Sequence, residues 1–209
     1  MLGASEIAPE LENFCKDRQN YCEQNYNNTL IHSISILFVH ILTDAENRIV
    51  DKLRLAFYDV VPSDFRTFCS LTSRISKQVL DKFGIGNELM PCQLWYTNQT
   101  QNYVVGFLDQ QDPSSEWNGH VVCRAGNVII DAATQNLEVK LGVSVPWVVV
   151  ARRFLVSSQL ISRAKLGNND MLEWFYPPTK MDTEPPSEPI ALVEQYANLL
   201  YEHISRNKT

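Results

Sequence analysis

The period of the hydrophobic pattern changes between Gly84 and Glu88, and that change restricts the fold class. Before Gly84, apolar residues recur every three or four positions, which is typical of amphipathic helices. After it, short stretches rich in β-branched and aromatic residues alternate with polar loops, which is typical of strands. Helices followed by a mostly antiparallel sheet predict the α+β class.

Two amphipathic helices are predicted directly before this change. A capping box formed by Thr43 and Glu46 begins a helix over residues 43–60. A second helix is predicted from about residue 65 or 68 to residue 83, where Gly84 is suited to a C-cap. The predicted strands are 89–97, 103–108, 119–123, 128–131 and 147–154, and a shorter helical piece is predicted over 157–166.

We expect one α+β domain over residues 1–175, helical over 1–86 and rich in strands over 87–175. Five prolines between residues 176 and 189 predict an extended linker or surface arm. Residues 190–209 then end the chain, with an amphipathic helix predicted over 190–204.

The secondary structure of residues 1–42 is less clearly predicted. A polar helix is predicted over residues 9–25, and the apolar run over 30–42 is compatible with either a helix or a strand. This run is shorter than the ~20 residues of a membrane span. No basic segment precedes an apolar one at the N-terminus, so we expect no signal peptide and a cytoplasmic protein.

Composition excludes several classes of function. The 209 residues are 44% hydrophobic and 20% charged, as in ordinary globular proteins. A net charge of −6 argues against nucleic-acid binding, which needs a basic face. The five cysteines are odd in number and include no C-x-x-C pair, so neither a disulfide framework nor a zinc site is predicted. We expect no metal, no cofactor and no membrane partner.

Cys69 is the first candidate catalytic residue. It lies in the first turn or so of the second predicted helix, and the positive end of a helix favours a thiolate. On a helical wheel it lies roughly 100° from the apolar stripe, and its neighbours Thr72, Ser73 and Ser76 are small and polar. An inert, partly buried cysteine is the alternative interpretation.

His120 and Asp131 belong to a predicted β-hairpin. A two-residue loop at 125–126 places His120 directly opposite Asp131, with Cβ atoms about 4.5–5.5 Å apart. A loop at 126–127 places His120 opposite Ala133 instead. In the first register the carboxylate binds one ring nitrogen and leaves the other facing a thiol, as in a nucleophile–base–orienter triad.

The chain order Cys69, His120, Asp131, with Gly-His-Val-Val at 119–122 and Ile-Ile-Asp-Ala-Ala at 129–133, resembles a known group of enzymes. It is similar to the transglutaminase-like branch of the papain-like cysteine enzymes, which includes transglutaminases, some peptidases and amidases, and arylamine acetyltransferases. The resemblance covers about residues 68–135. It implies a papain-like α+β fold, with N-terminal helices packed on the sheet, and the roles of nucleophile, base and orienter for the three residues.

The implied function is cysteine-dependent amide or acyl chemistry, by hydrolysis, deamidation or transfer, on a peptide, a protein or a small amide or ester. Trp117, Asn118 and Gln135 are candidate substrate-binding residues because they lie near the triad in sequence. The residues around Cys69 differ from the family pattern, since Phe68 stands where Gly or Trp is usual. This difference favours the alternative function, an inactive domain of the same fold that binds a protein partner.

Overall fold

The structure is a computed structural model, and it describes residues 40–106, 119–154, 159–167, 169–177 and 184–206. The helix predicted over 9–25 and most of the apolar run over 30–42 lie outside the described residues. The same holds for Trp117 and Asn118 and for residues 178–183 of the proline-rich segment.

The described residues form four α-helices and one short 3₁₀ turn, Ser63–Phe65. The helices are α1 (Asp44–Val60), α2 (Cys69–Lys82), α3 (Gln135–Leu141) and α4 (Ile190–Arg206). The capping box is confirmed at α1, where the Glu46 carboxylate accepts from the Thr43 N–H at 2.7 Å and the Thr43 side chain accepts from the Glu46 N–H. None of the described helices has the length and apolar character needed to cross a membrane.

Seven strands form one antiparallel sheet in the described residues. They are β1 (Asn87–Thr97), β2 (Asn102–Val105), β3 (His120–Ala125), β4 (Val128–Asp131), β5 (Val149–Arg152), β6 (Leu160–Lys165) and β7 (Met171–Phe175). Their order is β5-β4-β3-β1-β7-β6, and β2 pairs with β1. A bridge between Arg153 and Ser162 brings the two ends together, so the sheet is a nearly closed barrel. The α+β class is confirmed.

The two faces of the sheet bury different groups. Helices α1, α2 and α4 pack together against one face, around Leu53, Ile75 and Ile130. The other face buries a second cluster that includes Cys92, Leu94 and Trp174, with Leu137 of α3. Since side chains alternate along a strand, neighbouring residues of β3 and β4 contribute to opposite faces. The domain boundaries expected from the sequence stay a prediction.

The predicted strands correspond to β1–β5 with shifted ends, but the helical piece predicted over 157–166 is wrong. Residues 160–165 form β6, which pairs with β7. A β-bulge between Leu160 and Ser162 interrupts the alternation of buried and exposed residues, so the pattern does not indicate a strand. Strand β7 and helix α3 were not predicted, because both are short.

Candidate active site

The β3–β4 hairpin turns at residues 126–127, so the first of the two registers considered above is wrong. Cys123 pairs with Ile130 and Ala125 with Val128, which places His120 two residues away from direct pairing with Asp131. The two registers nevertheless put these side chains on the same face, because a strand repeats every two residues. A diagonal pair on one face is within reach of an aromatic ring.

His120 and Asp131 form a hydrogen-bonded pair in this register. The ring Nε2 of His120 lies 2.7 Å from Oδ2 of Asp131. Only 2% of the histidine and none of the aspartate is exposed to solvent. Nδ1 of His120 has no oxygen or nitrogen partner among the described residues. The carboxylate therefore orients the ring and leaves Nδ1 available for another group.

Two further groups hold the Asp131 carboxylate. The indole Nε1–H of Trp174 donates to Oδ2 at 2.8 Å, and the Ala133 N–H donates to Oδ1 at 3.0 Å. Burial by itself raises the pKa of Asp131, but the charge and hydrogen bond of His120, the indole and the Ala133 N–H outweigh it and lower the pKa below its ordinary value. Asp131 is therefore ionised at neutral pH, in spite of its complete burial.

The pKa of His120 is shifted in the opposite direction, above its ordinary value. Burial disfavours the imidazolium and on its own lowers the pKa of His120. The charge and hydrogen bond of Asp131 oppose this, together with a smaller contribution from the Cys69 thiol, and they raise the pKa of His120 to about 10. The ring is therefore a cation at neutral pH and carries a proton that it can donate.

Cys69 is the first residue of α2, and α2 packs against β3 near His120. One turn further along the helix, the Ser73 hydroxyl donates to the Val121 carbonyl at 2.8 Å. This contact fixes the first turn of α2 beside the start of β3. The Cys69 sulfur lies 3.9 Å from the carbonyl oxygen of Gly119, the residue before His120. The three residues predicted as a triad are thus brought together.

A cluster around Arg66 braces the turn that leads into α2. Arg66 is 8% exposed, and its guanidinium donates to the carbonyls of Val61 and Tyr58, each at 2.8 Å. It also lies 4.3 Å from the ring centre of Trp147, which stacks on Tyr58. Because α2 begins at Cys69, three residues after Arg66, the cluster also helps to fix the position of Cys69.

The other described cysteines are buried and unsuited to nucleophilic attack. Cys92 lies directly opposite His120 on β1, and burial raises its pKa well above the ordinary value, with smaller contributions from Asp131 and Cys69. Burial also raises the pKa of Cys123 to about 12. Cys69 differs from both of them in being only half-buried.

Gly106, at the end of β2, allows the chain to approach His120 closely. Its φ of +90° favours glycine, and a Cβ built on it would lie 2.6 Å from the backbone nitrogen of His120. No larger residue fits at this position without moving the start of β3. Gly106 therefore fixes the backbone that carries the histidine.

The structure describes only one of the three predicted substrate-binding residues, Gln135. Trp117 and Asn118 lie outside the described residues. Gln135 is the first residue of α3, and its buried Oε1 has no hydrogen-bond partner among the described residues. Sequence reasoning missed Trp174 and Gly106, which contact the His120–Asp131 pair or its backbone. The alternation of Leu172 and Trp174 in a short strand was the one available signal for Trp174.

The described residues contain no group of three or more His, Cys, Asp or Glu side chains placed to hold a metal ion. We compared the chain with protein-family models, with curated proteins and with solved structures, and none of them matched. The geometry and electrostatics of the site are therefore the basis for its function.

Proposed function

We propose that this protein is a cysteine-dependent enzyme that cleaves or transfers acyl groups, with Cys69 as nucleophile, His120 as acid and base, and Asp131 as orienter. The observation that carries the proposal is the state of His120. Its Nε2 is bound to a buried, ionised carboxylate, and its Nδ1 has no oxygen or nitrogen partner. The Cys69 thiol also raises the pKa of this ring, by a smaller amount than Asp131 does.

The first half of the reaction forms a thioester. The Cys69 thiolate attacks the carbonyl carbon of an amide or ester, and the carbonyl oxygen takes up the negative charge. The imidazolium of His120 donates its Nδ1 proton to the departing amine or alcohol as the bond to carbon breaks. Asp131 keeps its negative charge throughout and stabilises the imidazolium.

The second half returns the enzyme to its starting state. Neutral His120 accepts a proton at Nδ1 from water or from an amine, which attacks the thioester carbonyl. The sulfur leaves as a thiolate, so that hydrolysis and transfer differ only in the attacking group. An acid is released with water, and a new amide is released with an amine.

The developing oxyanion needs hydrogen-bond donors. The N-cap of α2 is Phe68, and no side chain caps this helix, in contrast to the capping box of α1. The backbone N–H groups of the first helical turn have no intrahelical partner. We assign the Cys69 N–H to the oxyanion, because it belongs to the nucleophile itself.

A papain-like fold of the transglutaminase-like type is part of the same proposal. It is supported by a cysteine at the start of a helix that packs on an antiparallel sheet, with the histidine and aspartate on neighbouring strands. We also propose a cytoplasmic location and a peptide or protein as the acyl donor.

The test is the alkylation rate of each cysteine with iodoacetamide at pH 6, measured by mass spectrometry on the native chain. An ordinary thiol with a pKa near 8.5 is only about 0.3% ionised at this pH. We expect Cys69 to react at least about tenfold faster than Cys15, and we expect His120→Gln to remove this difference.

His203→Gln is the matched control, because His203 lies on α4 and is more than one third exposed. It should leave the rate of Cys69 unchanged. If Cys69 reacts no faster than Cys15, or if His120→Gln has no effect, the enzyme is excluded and the binding-module alternative takes its place.

A further inference from the structure

A polar stripe runs along α2 away from Cys69. Ser70, Arg74 and Gln78 follow each other at four-residue intervals, so they lie on one face of the helix. Four residues of helix advance by about 6 Å. Alternate carbonyls of an extended chain are about 6.6 Å apart. The stripe therefore has a spacing that suits hydrogen bonds to an extended main chain.

Part of this chain already lies on the stripe. The Ser70 hydroxyl donates to the Pro186 carbonyl at 3.0 Å. The Arg74 Nη2 donates to the carbonyls of Pro186 at 3.2 Å and Pro185 at 3.4 Å. These bonds are made to main-chain carbonyls, so they do not select the side chains of the bound segment.

The segment 184–189, which we name the proline arm, has the character of a bound peptide. It contains no helix or strand, and three of its residues are prolines. Pro185 and Glu188 are half-buried while the residues around them are exposed, a three-residue interval that matches a polyproline helix. Such a helix has no internal hydrogen bonds, so its carbonyls need donors from elsewhere.

The stripe offers more hydrogen bonds than the proline arm uses. Nε of Arg74 and Oε1 of Gln78 are buried, and neither has a hydrogen-bond partner among the described residues. Both residues line a cleft of about 170 Å³ between α2 and the start of α4, together with Lys77 and Glu188. One peptide amide would satisfy both atoms, because its C=O accepts from Arg74 and its N–H donates to Gln78.

We propose that Ser70, Arg74, Gln78 and the adjoining cleft bind an extended, proline-containing segment of a protein substrate, and that the proline arm occupies this site within the chain. Lys77 is paired with Asp81 at 2.8 Å, so Arg74 is the cation of the cleft without an ion pair among the described residues and favours an acidic segment, such as one with Glu188. Cleavage or acyl transfer of the bound segment rests on the proposed function, since Ser70 directly follows the nucleophile Cys69. The binding itself is independent of catalysis.

The probe is a fluorescent peptide with the sequence of residues 182–190, and its binding is measured by fluorescence anisotropy on the full chain with Cys69→Ser. The tethered arm competes at an effective concentration near millimolar, so wild-type binding should be weak. Replacing Pro185 and Pro186 by glycine keeps both carbonyls but gives the free arm more conformations. This variant should bind the peptide at least fivefold more tightly.

Adding Arg74→Met to the glycine variant should weaken peptide binding at least fivefold. Arg74 is the informative position, because its Nη2 donates to the carbonyls of residues 185 and 186, which the peptide also carries. Arg163→Met is the matched control, since Arg163 pairs with Glu173 on the β6–β7 hairpin. It should leave binding unchanged.

The proposal is overturned if the glycine variant does not bind the peptide, or if Arg74→Met and Arg163→Met have equal effects. Anisotropy does not depend on a reactive thiol, so the outcome is separate from the alkylation test. Tight binding with an unreactive Cys69 would remove the enzyme and keep the peptide site.

Discussion

Loss of the His120 proton should destabilise this fold, because the folded chain binds that proton more tightly than the unfolded chain does. Burial alone lowers the pKa of His120, but Asp131, with a smaller contribution from Cys69, raises it to about 10. An unfolded histidine has a pKa of about 6.5. The stabilising contribution is therefore complete below about pH 6.5 and is lost as the pH rises towards 10.

The magnitude follows from the number of protons bound. Between these pH values the folded chain holds up to one more proton than the unfolded chain, so the free energy of unfolding falls by at most about 1.4 kcal/mol per pH unit. From pH 7 to pH 9 the expected loss is about 2–3 kcal/mol. Asp131 does not contribute to this loss, because a lowered carboxyl pKa stabilises above about pH 4 and loses its effect only in acid.

The assay is urea unfolding at several pH values between 6.5 and 9, in a Cys69→Ser background that removes the proton of the thiol from the count. Cys69→Ser should lose about 2–3 kcal/mol more between pH 7 and pH 9 than Cys69→Ser with His120→Gln. Titrating groups outside the His120–Asp131 pair are common to both chains and cancel, and Asp131→Asn is added to the His120→Gln chain to remove a carboxyl whose pKa burial raises once His120 is gone. His203→Gln in the same background should follow Cys69→Ser alone. Parallel curves with and without His120 would refute the coupling to Asp131.

Three further substitutions test the parts of the site. Asp131→Asn should slow alkylation of Cys69 at pH 6 at least tenfold and lower the free energy of unfolding by about 3 kcal/mol, since it breaks a buried pair. Trp174→Phe should cost about 2 kcal/mol in urea unfolding, because a bond to a charged carboxylate is lost. An unchanged urea midpoint in Trp174→Phe would show that the indole does not position Asp131. Gly106→Ala should cost about 3 kcal/mol, whereas Gly86→Ala, with open space around it, should cost close to nothing.

The local signals in the sequence were sufficient for the elements nearest the site. The capping box set the start of α1, and Gly84 set the end of α2, because both depend on backbone hydrogen bonds within a few residues. The pairing of His120 with Asp131 was also predictable, although the sequence left two hairpin registers open. A shift of the pairing partner by two residues keeps both side chains on one face, so the prediction did not depend on the turn.

The support for this pair was not predictable, because it comes from distant parts of the chain. Trp174 lies more than forty residues after Asp131, and it reaches the carboxylate only because β7 pairs with β1 and places Trp174 opposite Leu94. His120 lies opposite Cys92, two residues earlier on the same strand and on the same face. No local pattern indicates that β1 aligns these residues.

Burial of the polar groups on this face lowers the stability of the fold. His120, Asp131 and the indole nitrogen of Trp174 are buried beside apolar residues such as Val122 and Ile129. A well-packed apolar replacement for a buried ion pair is often as stable or more stable. The chain nevertheless satisfies Asp131 with three donors and leaves Nδ1 of His120 without an oxygen or nitrogen partner, on the ring that Cys69 influences. A buried ion pair whose second ring nitrogen has no oxygen or nitrogen partner among the described residues adds no clear stability, and its place beside Cys69 favours a chemical role for this pair.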